Sequence, residues 1–508
     1  MSILTSLPFR LAPHPVKPAH RSSPPYGRRF GPTACLLVLC GGLFFFGLNA
    51  GELYQTESLR AMVAAEMLRS GDWIVPTLYG EPLLTKPPGM YAAIAAVSWP
   101  FGQVTTLSAR LPSVLAASIV VILFYRVFAR SLGWRAGLLA ALLLPASISW
   151  LQRAPSAEID MVQLAWVAAS LFCFLRALEI AETPERRGFG REWPWWQFAM
   201  LCVAGGVLTK WTAAAFFYLT VVPLLWYRGQ MRLLWSRAHL LSAMLGTLPC
   251  LGWIAAVAAQ TGWPSFFDAV RGEALPRLSP AHHTRPYPWH ELATFPLAFV
   301  ASNLPWSAAA LWTLSPRFAE LWDERGKRLL QLFHCWTWPN LLFWTMVPGH
   351  HFRHALPLQP GLAGLAALTW IAWTDGRLRW PIPNVRPRQV FLSLLVLWLT
   401  VKIVFVTTIV PYRDRNRAPK SKGEQLAALV PTSETLYLFR LKDEGILFYY
   451  GRPARRLSSP MCLPKEERGA YCLLTELEYH QWSPLCLLEP LERFNDEQGH
   501  PIVLVKLP

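Results

Sequence analysis

Long apolar runs separated by short polar segments constrain the fold of this chain more than any other feature. The 508 residues are 53% hydrophobic and 16% charged, a composition that excludes a single soluble domain. An α-helix needs about 20 mainly apolar residues to cross the hydrocarbon core of a bilayer. The sequence therefore predicts a mostly α-helical, polytopic membrane protein with about eleven transmembrane helices, and thirteen at most. The apolar runs are 33–50, 111–128, 136–150, 161–178, 195–208, 212–226, 240–259, 293–314, 329–347, 355–373 and 390–410.

The positions of the basic residues predict how these helices are oriented. The formal net charge is +17, and the charges lie between the apolar runs, as in membrane proteins whose cytoplasmic loops are rich in Lys and Arg. This pattern argues against a nucleic-acid partner. With the basic segment 1–32 inside, the Arg-rich loops 126–135, 227–237 and 375–388 also fall inside. We expect a multi-pass protein of a bacterial inner membrane, with its N-terminus inside and its C-terminus outside.

Three regions follow from the same pattern. Residues 1–32 form a cytoplasmic basic tail rather than a signal peptide, because they lack a short apolar core with a cleavage site. Residues 33–410 form the transmembrane region. The apolar segment 89–101 within it is shorter than an ordinary span and is expected to dip into the outer leaflet, with a short true span as the alternative. Hydropathy falls in 411–508, where TLYLFRL, ILFYYG, AYCLLTELE and PIVLVKL resemble short strands. We therefore expect a small α/β domain outside the membrane.

The first outer loop, 51–88, is the place where the sequence predicts chemistry. It is too polar to cross a bilayer, and charged groups at a membrane boundary are costly unless they are solvated, paired or functional. The loop contains Glu52 and Glu57 and ends at Lys86, which two prolines follow. Residues 57–68 contain neither Gly nor Pro, which predicts a short amphipathic helix on the membrane surface.

The first outer loop also resembles the motif of a known family. The matching residues are Glu57, Glu66-Met67-Leu68, Ser70-Gly71-Asp72-Trp73, Pro76, Gly80 and Lys86-Pro87-Pro88. Together with later landmarks, they resemble the bacterial relatives of glycosyltransferase family 39 over residues 33–373. Members of that family have the GT-C fold, depend on polyprenyl phosphate and include the lipid A aminoarabinose transferases and, more distantly, the protein O-mannosyltransferases. Three positions depart from the pattern. Thr56 stands where the family has its principal aspartate, Leu59 stands where it has an arginine, and Thr85 stands where an acidic residue often precedes the lysine.

The resemblance implies a glycosyltransferase. Such an enzyme would move a hexosyl or pentosyl group, with inversion, from a polyprenyl-phosphate donor to a lipid, glycan or protein acceptor at the outer face, in contact with membrane lipids. Two alternatives remain open: a non-enzymatic flippase or carrier of lipid-linked sugars, and a degenerate member that acts as a scaffold, which Thr56 would fit. Gly- or Pro-interrupted spans in matched halves would favour a carrier, and the sequence shows no such symmetry.

Four carboxylates are candidate catalytic residues. An acceptor hydroxyl has to lose its proton as it attacks the anomeric carbon, and a carboxylate usually accepts that proton. Threonine cannot act as a base near neutral pH, so the role falls to a neighbouring acid. Glu57 and Asp160 are the best placed by motif. Glu52 is the next candidate for the base, and Glu158 is a candidate because it lies two residues before Asp160. Each acid also has a simpler explanation, such as a solvated helix face or a favourable contact with a helix dipole.

Basic residues on the outer side are candidates for binding the donor phosphate, whose negative charge grows as it leaves. Lys86 is held stiffly by the prolines that follow it. The other candidates are Lys210, Arg277, His282 and Arg353, and each could instead contact lipid headgroups. Arg353 lies among three histidines in the sequence PGHHFRH. This cluster leaves a divalent metal ion open as a cofactor, although no cofactor is certain.

Overall fold

Helices make up most of the computed structural model, which describes residues 30–183, 190–278, 289–347, 352–462 and 469–507. His282 and residues 1–29 lie outside the described part of the chain, and so do the side chains of Arg277 and Arg353. The α-helices are α1 (Phe30–Cys40), α2 (Thr56–Ser70), α3 (Gly89–Ser98), α4 (Thr106–Leu132), α5 (Trp134–Leu143), α6 (Ile148–Arg153), α7 (Ile159–Glu182), α8 (Trp193–Thr209), α9 (Ala213–Tyr227), α10 (Arg237–Thr261), α11 (Trp263–Leu278), α12 (Glu291–Ser302), α13 (Trp306–Leu311), α14 (Glu324–Met346), α15 (Gln359–Thr374), α16 (Pro387–Val404), α17 (Val410–Arg417), α18 (Pro419–Leu429), α19 (Glu444–Tyr450) and α20 (Glu476–Trp482).

Shorter helical segments extend or connect these helices. Two π-helical segments, Gly41–Phe45 and Phe405–Ile409, continue α1 and α16. Segments of 3₁₀-helix are Trp99–Phe101, Met231–Trp235, Trp312–Leu314, Pro316–Leu321, Phe352–Leu358 and Pro460–Cys462.

Among the described residues, five helical segments are long and apolar enough to cross a membrane, and a bent pair of helices would make a sixth. The five are Thr106–Leu132, Ile159–Glu182, Arg237–Thr261, His354–Thr374 and Pro387–Leu429, and the bent pair joins Glu291–Ser302 to Trp306–Leu314 at 106°. Four shorter apolar helices are Gly31–Phe45, Gly89–Phe101, Trp134–Leu143 and Ala213–Tyr227. The described chain is thus mostly helical and rich in apolar helices, as the sequence predicts. The count of eleven spans stays a prediction.

Helix α7 is packed on several sides within the helical region. The ring of Phe174 lies against Trp196 of α8 and Phe217 of α9, with ring centroids 5.3 Å and 6.1 Å away. All three aromatic side chains are almost fully buried. Close packing of this kind leaves a helix little freedom to shift. It therefore holds the body of α7, and the predicted site residues Glu158 and Asp160 lie at the N-terminal end of this helix.

The first outer loop folds into α2 and a small hairpin. Helix α2 confirms the helix that the sequence predicts over 57–68. Strands β1 (Thr77–Leu78) and β2 (Glu81–Pro82) pair as the hairpin. The Glu66 carboxylate joins the helix to the hairpin, because it accepts hydrogen bonds from the Thr77 hydroxyl and the Tyr79 backbone N–H, both at 2.7 Å. This part of the motif therefore stabilises the fold of the loop itself.

A five-stranded sheet forms in the C-terminal segment, in the order β4-β3-β5-β7-β6. Its strands are β3 (Leu436–Leu438), β4 (Ala454–Arg456), β5 (Tyr471–Thr475), β6 (Glu489–Asn495) and β7 (Pro501–Lys506). Strand β3 is parallel to β4 and β5, whereas β7 is antiparallel to β5 and β6. Three of the four sequences predicted as strands contain one.

The fourth predicted strand, ILFYYG, is wrong, because these residues lie in and directly after helix α19. A short apolar run does not distinguish a strand from a buried helix. Asp443 favours the helix here, since its carboxylate accepts the backbone N–H of Ile446 at 3.0 Å and so caps the first turn.

The C-terminal segment is hydrogen-bonded to the residues that precede α2. The backbone N–H of Lys420 donates to the Glu52 carboxylate at 3.0 Å. The backbone N–H of Leu53 donates to the hydroxyl of Tyr449 at 2.9 Å. Two residues later, the backbone N–H of Gln55 donates to the Glu497 carboxylate at 2.9 Å. These contacts attach the C-terminal segment to the start of the first outer loop.

The Glu497 contact predicts a pH dependence of stability. Burial raises the pKa of Glu497 from 4.5 to about 8, and the neighbouring acids Asp443 and Glu444 raise it further, against the opposing effects of the Gln55 N–H and Arg417. Between these two pH values the folded protein therefore keeps a proton on Glu497, whereas the same carboxyl group is ionised in the unfolded chain. The stability that this proton supplies is complete below pH 4.5 and is lost as the pH rises through about 8.

We expect Glu497→Gln to flatten this dependence, because a neutral amide has no proton to lose. The measurement is the thermal unfolding temperature of the purified protein between pH 5 and about pH 9. Glu489→Gln, at an exposed position of β6, should leave the dependence as in the wild type. A Glu497→Gln protein with the full wild-type slope would contradict the prediction.

Candidate active site

Glu57 forms a buried, bidentate ion pair with Arg110. Glu57 lies in the first turn of α2, and Arg110 lies in α4; they are 7% and 6% exposed. The Nε and Nη2 groups of Arg110 each donate to the Glu57 carboxylate at 3.1 Å. The backbone N–H of Ala157 donates to the same carboxylate at 2.7 Å. Glu57 is therefore held by three donors from two other parts of the chain.

The remaining donors of Arg110 hold the chain between α1 and α2. The Nη1 group lies 3.0 Å, 2.8 Å and 3.2 Å from the carbonyl oxygens of Leu48, Ala50 and Gly51. The Nη2 group lies 3.3 Å from the carbonyl oxygen of Glu52. One guanidinium thus fixes both the turn that follows the first apolar helix and the start of the first outer loop.

Glu158 is the centre of a second cluster, directly beside α2. It is 2% exposed, and it accepts a hydrogen bond from the Thr56 hydroxyl at 2.8 Å. Arg153 lies 3.1 Å from one oxygen of the carboxylate, and Arg60 lies 3.1 Å from the other. The position where the family resemblance leads us to expect an aspartate therefore carries a hydroxyl in contact with a carboxylate from another segment.

Asp160 pairs with Lys210 in a third cluster. Asp160 lies in the first turn of α7 and is 3% exposed, and Lys210 directly follows α8. The Lys210 ammonium is 2.6 Å from the Asp160 carboxylate. Nearby, the Gln163 amide donates to the hydroxyl of Thr212 at 2.8 Å, which joins the same two segments again. A charge-assisted contact of this length is among the stronger hydrogen bonds in proteins.

Lys86 lies on a segment that approaches Lys210. A Cβ atom at Gly89 would lie 2.7 Å from the carbonyl oxygen of Leu208, so only a glycine permits this contact between the start of α3 and the end of α8. Lys86 is three residues before Gly89, and Lys210 is two residues after Leu208. The half-buried Lys86 ammonium donates to the Thr85 carbonyl oxygen at 3.2 Å. The two predicted phosphate-binding lysines thus come from neighbouring segments.

The other predicted phosphate-binding residues are only partly placed. Arg277 lies in α11, and Arg353 lies in the segment Phe352–Leu358, both as backbone positions. Helix α11 belongs to the surroundings of the first outer loop, because Phe266 of α11 packs with Val75 and Leu84 in one buried cluster. Among the described residues, no three His, Cys, Asp or Glu side chains are grouped as metal ligands.

A cavity of about 370 Å³ lies on the other side of the Glu57–Arg110 pair. Residues 47–57, the turn 152–156 and residues 402–414 of the last apolar helices enclose it. We call it the loop–span cavity. Its charged lining residues are the basic Arg110, Arg153, Lys402 and Arg413 and the acidic Glu52, Glu57 and Asp414. Glu52, the reserve candidate for the base, therefore lies in this cavity, whereas Asp160, Lys86 and Lys210 do not line it.

Sequence reasoning missed the arginines that hold the acids and the lysine of the cavity. Arg60, Arg110 and Arg153 carry no local sign of their partners, because each pairing depends on how separate helices pack. Lys402, in contrast, can be identified from the sequence. It is the only charged residue in the apolar run 390–410, and an ionisable residue within such a run is a candidate functional residue.

The Glu57–Arg110 pair predicts a large stability effect. Arg110→Met should lower the free energy of unfolding by about 3–5 kcal/mol, because it leaves a buried carboxylate without its cation. The double variant Arg110→Met/Glu57→Met should recover part of that loss, since no charge is then left unpaired. Chemical unfolding of the purified protein measures both variants.

Arg126→Met is the matched control, because Arg126 lies on an exposed turn of the same helix. It should unfold like the wild type. Equal losses in the single and the double variant would show that the ion pair is not the source of the stability.

Comparison with known proteins gives two kinds of match in sequence. Residues 85–253 match the family model of dolichyl-phosphate-mannose-protein mannosyltransferase. The undecaprenyl phosphate-alpha-4-amino-4-deoxy-L-arabinose arabinosyl transferase of Pseudomonas aeruginosa (strain LESB58) is 30% identical over 403 residues, which cover 72% of this chain and 69% of that protein.

Solved structures match in fold. The crystal structure of ArnT from Cupriavidus metallidurans in the apo state has a TM-score of 0.73 at 16% identity, over 93% of this chain and 97% of that one. The same protein bound to undecaprenyl phosphate has a TM-score of 0.71 at 17% identity, over 94% and 98% of the two chains. The arrangement of helices is thus of the GT-C type. With 30% identity over more than two thirds of both proteins, the chain belongs to the GT-C family of membrane glycosyltransferases that contains the aminoarabinose transferases.

Proposed function

We propose that this glycosyltransferase takes a sugar from a polyprenyl-phosphate donor and transfers it to an acceptor hydroxyl at the outer face of a bacterial inner membrane. The names of its relatives refer to a sugar linked to undecaprenyl phosphate, and a similar solved structure holds undecaprenyl phosphate. The observation that carries the proposal within this chain is the buried Asp160–Lys210 pair. It lies at the end of α7 that adjoins the first outer loop.

The proposed topology has eleven spans. Residues 1–32 lie inside, 33–410 form the transmembrane region and 411–508 form a small α/β domain outside. Two observations support it: the Arg-rich loops fall on one side, and the C-terminal segment is hydrogen-bonded to the first outer loop. In this arrangement the three acidic clusters lie near the outer surface of the membrane.

Lys86 and Lys210 are proposed to bind the donor phosphate. The close approach of Gly89 to Leu208 supports this, because it brings the two lysine-bearing segments together. Fixed cations stabilise the negative charge that collects on the phosphate as its bond to the sugar breaks. Arg277, His282 and Arg353 remain proposed further contacts of the same phosphate.

Asp160 is proposed to be the base. The two oxygens of Glu57 are held by Arg110 and the Ala157 N–H, so we assign Glu57 a positioning role. Glu158 has two arginines and is assigned to holding α2 through Thr56. Asp160 is paired with Lys210, which is itself a proposed phosphate contact. When the donor binds, its phosphate competes for Lys210, and the weakened pair lets the Asp160 carboxylate accept a proton.

The proposed reaction is a single displacement. The acceptor hydroxyl gives its proton to the Asp160 carboxylate, and its oxygen forms a bond to the anomeric carbon. The bond between that carbon and the phosphate oxygen breaks, and its electron pair stays on the phosphate, beside Lys86 and Lys210. Attack from the face opposite to the leaving phosphate inverts the anomeric carbon. General base catalysis of this kind contributes about 10²–10⁴-fold to a rate.

Asp160→Asn should therefore lower the transfer rate, measured per amount of folded protein, by about 10²–10⁴-fold. Mass spectrometry of glycolipids, wall polymers and exported proteins, from cells with and without the gene, identifies the product, and its rate of formation is then measured for each variant. Asp268→Asn, at an exposed position of α11, is the control. If Glu57→Gln, Glu158→Gln or Glu52→Gln abolishes transfer while Asp160→Asn does not, the base is another of the four acids. Full transfer by all four of these acid variants would exclude catalysis by any of them.

Lys86→Ala and Lys210→Ala should each weaken the binding of undecaprenyl phosphate by about 1.5–3 kcal/mol, because each removes a charge-assisted contact. Binding to the purified protein in detergent measures the effect. Lys327→Ala is the control, since Lys327 lies at the start of α14 and pairs with Glu324 in solvent. Wild-type affinity in both variants would place the phosphate contact elsewhere.

A further inference from the structure

Lys402 is a buried lysine of the last apolar helix that lacks a counter-charge within the described residues. It lies in α16, is 3% exposed and lines the loop–span cavity. No hydrogen bond or ion pair joins it to another described residue. A buried charge without a partner is strongly unfavourable. Such residues in membrane-embedded helices mark binding sites, because the missing charge comes from a ligand.

The other charged groups of the cavity do not neutralise Lys402. Glu57 is committed to Arg110, and Arg153 is committed to Glu158 outside the lining. Arg413 lies over an aromatic ring, with its guanidinium carbon 4.9 Å from the centre of the Tyr54 ring, and it also interacts electrostatically with Asp414.

Two acids also face the cavity, and both are engaged by backbone donors. The Asp414 carboxylate accepts the Glu52 backbone N–H at 3.2 Å. The Glu52 carboxylate accepts the Lys420 backbone N–H at 3.0 Å, and burial raises the pKa of Glu52. Asp414 faces three arginines, Arg110, Arg413 and Arg417. Positive charge at Lys402 and Arg413 therefore remains for an anionic occupant.

The walls of the cavity have unusual backbone geometry on both sides. The π-helical segment Phe405–Ile409 begins three residues after Lys402, and π-helical turns occur frequently at functional sites. Opposite it, Gly47 and Gly51 have positive φ values of 71° and 78°. Cβ atoms at these glycines would lie 2.3 Å and 2.5 Å from the side chains of Val406 and Val410. The glycines thus let the first loop approach the last apolar helix directly beside the cavity.

We propose that the loop–span cavity binds the phosphate group of an anionic ligand, with Lys402 and Arg413 as the cations that hold it. A phosphate ester carries enough negative charge to pair with two cations, and it has several oxygens that accept hydrogen bonds. Guanidinium groups match its geometry. The volume of about 370 Å³ leaves room for the sugar or glycerol attached to the phosphate. This site is separate from the proposed donor site, because Lys86, Lys210 and Asp160 do not line it. The binding does not depend on transfer chemistry.

The first test is a titration of the purified, full-length protein in detergent. Inorganic phosphate and glycerol 3-phosphate are added against sodium chloride at equal ionic strength, and the thermal unfolding temperature is measured. The wild type should show a saturable rise with at least one of the two phosphates. Lys402→Met should unfold at a higher temperature than the wild type without phosphate, because an unpaired buried charge is gone, and it should show no rise.

Two further variants make the result specific. Arg413→Gln should weaken the apparent affinity roughly tenfold, the effect of losing one charge-assisted contact. Lys327→Met, at a solvent-exposed ion pair of α14, should respond like the wild type. A Lys402→Met protein that titrates like the wild type would overturn the proposal, whereas loss of undecaprenyl phosphate binding in Lys86→Ala alone would bear only on the proposed function.

A second experiment distinguishes the source of the phosphate group. The protein is placed in nanodiscs of phosphatidylcholine with or without phosphatidic acid, and native mass spectrometry counts the anionic lipids that it retains. Loss of one retained phosphatidic acid in Lys402→Met would identify the ligand as a lipid headgroup. Equal retention, with a phosphate response in detergent that only the wild type shows, would identify a soluble phosphate ester. Equal retention together with equal responses would leave no phosphate site in the cavity.

Discussion

The buried pair of Glu57 and Arg110 is the interaction on which the candidate site depends. It joins α2 to α4 directly and reaches the turn before α7 through the Ala157 N–H. The same arginine holds the carbonyl groups that follow the first apolar helix. In surroundings of low dielectric constant a bidentate pair has strict geometry, and breaking it leaves a buried charge. The positions of Glu158 and Asp160, directly after Ala157, therefore follow from this pair.

Each acid at the centre of the site is paired with its own cations, and the type of cation differs between the acids. Glu57 has Arg110, Glu158 has Arg60 and Arg153, and Asp160 has Lys210. The first two acids are surrounded by arginines, which stay charged at any physiological pH and do not give up protons. Asp160 pairs with a lysine, whose flexible chain can turn to a new anion. This difference supports the proposal that Asp160 is the base and that the other two acids hold the structure.

The sequence predicts the kind of structure better than the contacts within it. Apolar runs and the segment 57–68 predict helices correctly, because periodicity and the absence of Gly and Pro are local properties. ILFYYG misleads because a short apolar run suits a strand and a buried helix equally. The edge strands β4 and β6 are missed because β4 has only three residues, two of them arginines, and β6 is largely exposed and lacks an apolar pattern. The acids of the site can be named from motifs, but pairs such as Asp160 with Lys210 join residues 50 positions apart and require the fold.

The residues that precede α2 link the loop–span cavity to the acidic clusters. Gln55 has a φ of 48°, a strained conformation for a side chain of its kind that persists only where surrounding contacts impose it. Glu497 supplies one such contact through the Gln55 N–H. On one side of Gln55, the Tyr54 ring contacts both the cavity cation Arg413 and Arg417. On the other side, the Thr56 hydroxyl contacts Glu158. A ligand that moves Arg413 therefore acts on a backbone that is already strained, one residue away from the carboxylate cluster beside the proposed base.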